Sequence, residues 1–239
     1  MNVKYFSAST TNVGLKRKVN EDNLLDRAEL SVWAVADGMG GHEAGEVASA
    51  KLVEALATLP PDGTSAEIAA QTEKLIQDVN LELLYLAQSS ELPRTIGSTI
   101  VTLTIRDGEY RCLWAGDSRC YLVREREITQ LTRDHSLVDE LVRSGMLSPD
   151  AAATHPDANV ITRAVGVKRE IQVDCVAGEA LPGDLFLLAS DGVTRVMSNA
   201  EIGELVASRN PVQAVEEIES IVLSRGAPDN LTCIVVRVL

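Results

Sequence analysis

The sequence has few aromatic residues, no long apolar run and no linker. Phe, Trp and Tyr make up 3% of the 239 residues, against 45% hydrophobic residues in all, which predicts an aliphatic core. No stretch of about eighteen apolar residues and no apolar N-terminal segment is present, so we expect neither a membrane-spanning helix nor a secretory leader. No stretch rich in Pro, Ser and Gly divides the chain, and we expect a single domain over residues 1–239.

Positive charge is also scarce. Lys and Arg number 22 against 35 Asp and Glu, a formal net charge of −13. Because nucleic acids and anionic membranes bind basic surfaces, we expect neither as a partner. The four cysteines show no Cys-x-x-Cys spacing and lie in or beside apolar runs, at Cys112, Cys120, Cys175 and Cys233. This indicates small core residues in a reducing compartment, and we expect a cytoplasmic monomer.

Aspartates stand at the ends of several apolar runs. Asp37 follows the run 32–36, Asp117 and Asp191 end similar runs, and Asp229 precedes the last one. An unbroken apolar run bounded by glycine is typical of a buried strand, so each carboxylate is expected where a strand leaves the core. A single Asp-Gly pair is ordinary turn chemistry. The repetition at several strand ends instead predicts one acidic rim.

Carboxylates gathered at one place repel each other and take up protons unless a cation neutralises them. All the candidate ligands here are oxygens, and no Cys or His pair has zinc spacing, which favours Mg²⁺ or Mn²⁺. Gly38 allows a sharp turn and can offer its carbonyl as a further ligand.

A basic loop precedes the rim. Lys16, Arg17 and Lys18 stand before the acidic patch at 20–23, and such neighbours ordinarily form exposed ion pairs of little consequence. The alternative is that a guanidinium beside a metal site grips a phosphate through two parallel hydrogen bonds.

Strand patterns alternate with pairs of helical patterns. A first helix is predicted before Pro60, a capping box at 64–67 begins a second, and Asn210-Pro211 begins the last. Asp107-Gly108 predicts a hairpin turn. Strands are expected at residues 3–9, 32–36, 100–105, 110–115, 120–124, 171–176, 185–189 and 231–239. This order predicts two stacked antiparallel sheets covered by helices, and the segment 132–166, with little core of its own, predicts a surface flap over the site.

Eight short motifs span almost the whole chain. They are Arg17-Lys18-Val19-Asn20-Glu21-Asp22, Ala36-Asp37-Gly38-Met39-Gly40-Gly41-His42, Gly97-Ser98-Thr99, Gly116-Asp117-Ser118-Arg119, Asp134-His135, Thr162-Arg163-Ala164-Val165-Gly166, Gly183-Asp184 with Ser190-Asp191-Gly192, and Asp229-Asn230-Leu231-Thr232. In this order they resemble the metal-dependent protein serine/threonine phosphatases of type 2C, in their compact bacterial form. The resemblance implies an α+β fold, a four-layer αββα sandwich of two antiparallel sheets flanked by helix pairs, with a flap subdomain at about 132–166.

The resemblance also implies an activity. Such enzymes hydrolyse phosphoserine and phosphothreonine with a metal-activated water, and a bacterial member reverses the action of a Ser/Thr kinase on its targets. The alternative is an inactive pseudophosphatase that acts as a binding module. Such a module would lack at least one acid of the rim, whereas all of them are present here.

The resemblance assigns two core ions and a possible third, either Mg²⁺ or Mn²⁺. The residue matching Asp37 bridges the core ions, those matching Asp191 and Asp229 bind one of them, and the carbonyl matching Gly38 binds the other. A third, weaker ion is expected at Asp117, with help from Asp191.

The remaining roles concern water, phosphate and the leaving group. By resemblance, Glu21 and Asp22 hold metal-bound waters and Arg17 grips the substrate phosphate. His42 is a candidate proton donor to the leaving oxygen. The alternative is that His42 is only a polar residue at a helix start, because a metal-bound water can donate the proton instead.

Two other motifs suggest different functions, but neither matches the full pattern that its function requires. Residues 38–41 suggest a dinucleotide-binding loop, but its third glycine would fall on Glu43. Cys120 and Arg126 match the spacing of cysteine-dependent phosphatases, yet the residues between them indicate a strand rather than a phosphate loop.

Overall fold

Two antiparallel β-sheets pack face to face, and helices cover both outer surfaces. The computed structural model describes residues 5–40, 44–89, 95–152 and 155–239. The strands are β1 (Tyr5–Asn12), β2 (Asp22–Arg27), β3 (Val32–Met39), β4 (Gly97–Ser98), β5 (Ile100–Arg106), β6 (Glu109–Ala115), β7 (Arg119–Arg124), β8 (Glu127–Gln130), β9 (Asp174–Glu179), β10 (Leu185–Ala189) and β11 (Leu231–Val238). The helices are α1 (Ala44–Leu56), α2 (Ser65–Gln88), α3 (Leu137–Arg143), α4 (Pro149–Ala152), α5 (Asp191–Thr194), α6 (Asn199–Ser208) and α7 (Pro211–Ser224).

The two sheets have different strand orders. One sheet runs β1-β11-β10-β7-β8, and the other runs β2-β3-β5-β6-β9 with the short β4 paired to β3. The pairs are antiparallel throughout. Among the described residues, no helix has the length and apolar character needed to cross a bilayer.

Alternation along the strands builds the layers. In β3, Trp33 and Val35 pack against residues of the other sheet such as Phe186, whereas Ala34 and Ala36 pack under α1 and α2. A third apolar cluster joins the β1–β8 sheet to α6 and α7. Each sheet is therefore buried on both faces, which confirms the predicted α+β sandwich.

Local signals set several element boundaries as predicted. The amide of Glu67 donates to Thr64 Oγ1 at 3.3 Å and the amide of Thr64 donates to Glu67 Oε2 at 2.9 Å, so the capping box begins α2. Asp107 and Gly108 both have positive φ, 52° and 78°, as a type I′ hairpin turn requires. Asn210 accepts from the amide of Gln213 and caps α7.

Other boundaries depend on distant partners. Strand β1 continues beyond the expected residue 9 to Asn12, because Thr10–Asn12 pair with Leu231–Cys233. The strand expected at 171–176 begins only at Asp174, where pairing with β6 begins. Cys175, predicted to be a core residue, is exposed because this edge strand has a solvent face; the other three cysteines are buried.

The segment 132–166 holds α3 and α4 and lies beside the ends of the sheets. None of the α3 residues is buried. A bridge between Ser136 and Ile161 closes the segment, and a second one joins Val165 to Ser98. We call residues 132–166 the flap.

Candidate active site

A cavity of about 300 Å³ lies where strands of both sheets end. Its walls bring together the four aspartates of the predicted rim, Asp37, Asp117, Asp191 and Asp229, from four separate turns. The cavity is lined by Arg17, Glu21, Asp37, Gly38, Met39, Gly40, Thr99, Asp117, Asn159, Ile161, Asp191, Arg195, Asp229 and Asn230. Carboxylates 192 positions apart in the sequence thus share one site, as the strand-end pattern predicts.

Two glycines allow the acid-bearing turns to approach their neighbours. A Cβ on Gly38 would lie 2.2 Å from the carbonyl oxygen of Gly45, in the first turn of α1. A Cβ on Gly192 would lie 1.8 Å from the carbonyl oxygen of Asn230. Each distance is far below van der Waals contact, so backbone packing, and not only turn formation, requires glycine at both positions.

Hydroxyl groups hold the backbone of Asp37. Its amide donates to Thr99 Oγ1 at 3.2 Å, and its carbonyl accepts from the Thr99 amide at 2.8 Å and from Ser98 Oγ at 2.9 Å. Thr99 Oγ1 also lies 2.7 Å from Ser118 Oγ, next to Asp117. These contacts fix the turn that carries Asp37 relative to the turn that carries Asp117.

Asn230 organises the basic loop. Its buried amide accepts from the backbone of Glu21 at 2.9 Å and donates to the carbonyls of Val13 at 2.9 Å and Val19 at 3.0 Å. The loop carries Arg17, whose Nη2 lies 2.7 Å from Asp229 Oδ2 while the side chain remains 52% exposed. The guanidinium is therefore accessible at the edge of the acidic cavity.

Glu21 and Asp22 occupy different positions. Glu21 lines the cavity, and its Oε1 accepts from the amide of Gly45 at 3.2 Å. Asp22 pairs directly with Asp37 across β2 and β3, is buried, and accepts from Ser190 Oγ at 2.8 Å. Asp22 thus lies deeper than Glu21, directly beside Asp37.

Burial and mutual repulsion raise the pKa of four carboxyl groups at this site. Burial, with Asp22 and Asp191 adding repulsion, raises the pKa of Asp37 well above its usual range. Burial raises the pKa of Asp22 to about 7 and that of Asp117 to about 6. Burial also raises the pKa of Asp191, while Arg195 and a hydrogen bond with Asp37 lower it in part. Additional positive charge in the cavity would therefore stabilise the ionised site.

The donor set fits a hard divalent cation. It consists of carboxylate oxygens around a cavity whose carboxyl groups are short of positive charge. Within the described ranges, no three acidic, His or Cys side chains are already arranged around one point as ligands. Two arginines lie against these carboxylates: Arg17 pairs with Asp229, and Arg195 pairs with Asp117 and Asp191. A cation would have to replace guanidinium contacts.

Among the other predicted residues, Gly38 lines the cavity, and His42 lies outside the described residues. The thiol of Cys120 is fully buried in β7, which excludes it as a phosphatase nucleophile. Arg195, Asn159 and Thr99 line the cavity, although the sequence analysis assigned them no role.

A protein phosphatase 2C family model matches residues 3–143.

Two kinds of relative support the same family. The chain is 38% identical over 229 residues to the protein phosphatase PhpP of Streptococcus pneumoniae serotype 2, covering 93% of both chains. It aligns with the structure of PppA, a key regulatory component of T6SS in Pseudomonas aeruginosa, with a TM-score of 0.89, 39% identity and 98% of both chains covered. The catalytic domain of the serine/threonine protein phosphatase PstP, in complex with 2 manganese ions, aligns with a TM-score of 0.91, 31% identity and full coverage of both chains.

The chain belongs to the protein phosphatase 2C family. It is a metal-dependent phosphoprotein phosphatase of the serine/threonine class, as the eight motifs predict. Enzymes of this family use Mg²⁺ or Mn²⁺, which agrees with the oxygen-rich cavity.

Proposed function

We propose that the acidic cavity hydrolyses phosphoserine and phosphothreonine in proteins, with Asp37, Asp191, Asp229 and the carbonyl of Gly38 holding two Mg²⁺ or Mn²⁺ ions. The observation that carries the proposal is the convergence of strand-end carboxylates on one cavity, in which the pKa values of Asp37, Asp117 and Asp191 are raised. When bound, two such ions lower the pKa of a water and make it a nucleophile at neutral pH.

The remaining side chains support substrate and water. We assign Glu21 and Asp22 to positioning water, and Asp117, with Asp191, to a third and weaker cation. The exposed guanidinium of Arg17 is suited to bind the phosphate oxygens, since it lies at the cavity edge and presents a planar pair of donors. His42 remains a candidate proton donor to the leaving serine or threonine oxygen, with water as the alternative.

The biological setting follows from the substrate class. Phosphorylated proteins are the substrates, and we propose that the enzyme acts as a cytoplasmic monomer against a bacterial Ser/Thr kinase and its targets. We also propose that residues 1–239 form one catalytic domain, with residues 132–166 as its flap. The absence of a basic excess supports protein rather than nucleic-acid substrates.

Metal dependence separates this function from its alternatives. We expect Mn²⁺-stimulated hydrolysis of p-nitrophenyl phosphate and of a phosphothreonine peptide, loss of activity with EDTA, and no loss with iodoacetamide. The reason is that the cavity offers carboxylates, whereas Cys120 is buried. Activity that survives EDTA but is lost with iodoacetamide would indicate a cysteine mechanism. A folded protein with no metal-stimulated turnover would instead be a binding module.

Removing the guanidinium of Arg17 should reduce the use of the phosphorylated substrate more than it reduces metal binding. In Arg17→Ala, we expect kcat/KM for the phosphopeptide to fall roughly 100-fold, because charge-assisted hydrogen bonds contribute about 2–3 kcal/mol. The Mn²⁺ concentration for half-maximal activity should not rise, since Asp229 loses a competing ion pair. Lys16→Ala, on the same exposed loop, is the matched control and should retain activity. Equal losses in phosphate use and Mn²⁺ affinity would contradict this role.

A further inference from the structure

Arg195 contacts three residues that belong to two different parts of the molecule. Its Nη2 lies 2.8 Å from Asp191 Oδ2 and 3.1 Å from Asp117 Oδ2, and its Nη1 donates to Asn159 Oδ1 at 2.5 Å. The two aspartates belong to the acidic cavity, and Asn159 belongs to the flap. The carboxylates are 14% and 9% exposed, so the charge that holds the guanidinium is well shielded from water.

The two ends of the flap are anchored to the sheets, for example through Asp134, His135 and Val165, whereas its middle part has little else to hold it. Apart from Asn159–Arg195, the hydrogen bonds recorded for described residues 137–152 and 155–160 end within the flap itself. Helix α3 has seven residues and buries none of them. Because isolated helices of this length are unstable in water, the order of α3 depends on the flap staying docked.

A second cavity, of about 410 Å³, lies between the flap and α5. Asp117, Asn159, Asp191 and Arg195 line both this cavity and the acidic one. The arginine and its three partners therefore form the wall between the two cavities. Any change in the pairing of Arg195 alters the contact between the flap and the site.

We propose that Arg195 is a positioning residue that ties the flap to the acidic cavity through Asn159 and competes with a divalent cation for Asp117 and Asp191. The proposal rests on the proposed function, since it takes these carboxylates as cation ligands. The same oxygens cannot serve a guanidinium and a divalent ion at full strength, and the two positive charges repel each other. Cation binding therefore weakens the hold of Arg195 on the flap, and by linkage the arginine weakens cation binding equally.

The test uses the full chain without substrate. Hydrogen–deuterium exchange of EDTA-treated protein, read in peptides covering residues 134–152, is compared with and without Mn²⁺, and Mn²⁺ affinity is measured by calorimetry. In the unmodified protein, Mn²⁺ should increase deuterium uptake in the flap. In Arg195→Gln, uptake should already be high, Mn²⁺ should add nothing, and the weakest Mn²⁺ site should tighten roughly tenfold.

Two further variants separate the flap contact from the charge. Asn159→Ala should raise flap uptake but tighten Mn²⁺ binding much less than Arg195→Gln does, because Arg195 keeps its charge and its contacts with Asp117 and Asp191. Arg209→Gln, which removes an exposed arginine paired with Glu217, should change neither quantity. Asn159→Ala alters an exposed side chain, so it remains informative should Arg195→Gln fold poorly.

The outcomes are distinguishable. The proposal is wrong if Mn²⁺ reduces flap uptake in the unmodified protein, or if Arg195→Gln changes neither uptake nor Mn²⁺ affinity while the enzyme still shows metal-dependent turnover. It is also wrong if Asn159→Ala shifts Mn²⁺ affinity as much as Arg195→Gln does. If the unmodified protein binds no Mn²⁺ at all, both this proposal and the proposed function fail.

Discussion

Asp37→Asn is expected to lower Mn²⁺-dependent turnover by roughly 1,000-fold or more, the effect of losing several kcal/mol of metal-ion catalysis. Asparagine keeps the shape of the side chain but offers one neutral oxygen where the proposed site needs a charged carboxylate shared by two ions. The backbone contacts to Ser98 and Thr99 do not depend on the side chain and should persist. The measurement is hydrolysis of p-nitrophenyl phosphate and a phosphothreonine peptide across a Mn²⁺ series.

The thermal stability of Asp37→Asn should rise, although its turnover falls. Burial and the neighbouring Asp22 and Asp191 raise the pKa of Asp37, so its charged form destabilises the fold at neutral pH. A raised carboxyl pKa means that this penalty is absent in acid and develops as the pH rises through the unfolded-state value. At pH 7 in EDTA, the neutral Asn should therefore raise Tm by about 2–4 °C for each kcal/mol of relieved repulsion.

The matched control is Asp107→Asn, an exposed hairpin aspartate with φ 52° that Asn tolerates equally well. It should leave turnover and Tm unchanged. A variant at position 37 that keeps metal-stimulated activity would show that Asp37 is not a bridging ligand. A loss of activity together with a lower Tm in EDTA would point to misfolding instead.

Much of the architecture follows from local signals in the sequence. A capping box, a type I′ turn and an Asn-Pro start each depend on residues within four positions of one another, so they predicted where α2, β6 and α7 begin. The acidic cavity could be predicted for a related reason. Each aspartate follows or precedes a buried strand, and strand ends converge in a layered fold.

Contacts between distant residues could not be predicted in this way. Arg195 reaches Asp117 across 78 positions, and Asn230 holds Val13 across 217. The residues around Arg195 form no local pattern that predicts its partners. Cys175 was misassigned for the same reason: an apolar run does not say which strand lies at a sheet edge.

Gly192→Ala is expected to destabilise the protein by about 3 kcal/mol, at the upper end of what overpacking typically costs. An added Cβ would lie 1.8 Å from the carbonyl oxygen of Asn230, and that atom belongs to the backbone, which cannot rotate away as a side chain can. Moving Asn230 disturbs the loop that it holds through Val13 and Val19. For a chain of this size, the loss corresponds to a Tm lower by roughly 6–12 °C.

Activity should fall as well in Gly192→Ala, because the displaced segment carries Asp229 and the substituted residue follows Asp191. A misplacement of about 1 Å at a catalytic centre can reduce turnover roughly 100-fold. The control is Gly108→Ala, in a hairpin with open space around the missing Cβ, where only the positive φ of 78° opposes alanine at about 1–2 kcal/mol. Thermal unfolding and Mn²⁺-dependent turnover are measured on both. If Gly192→Ala unfolds no earlier than Gly108→Ala and keeps full turnover, the close approach of these two turns does not set the geometry of the site.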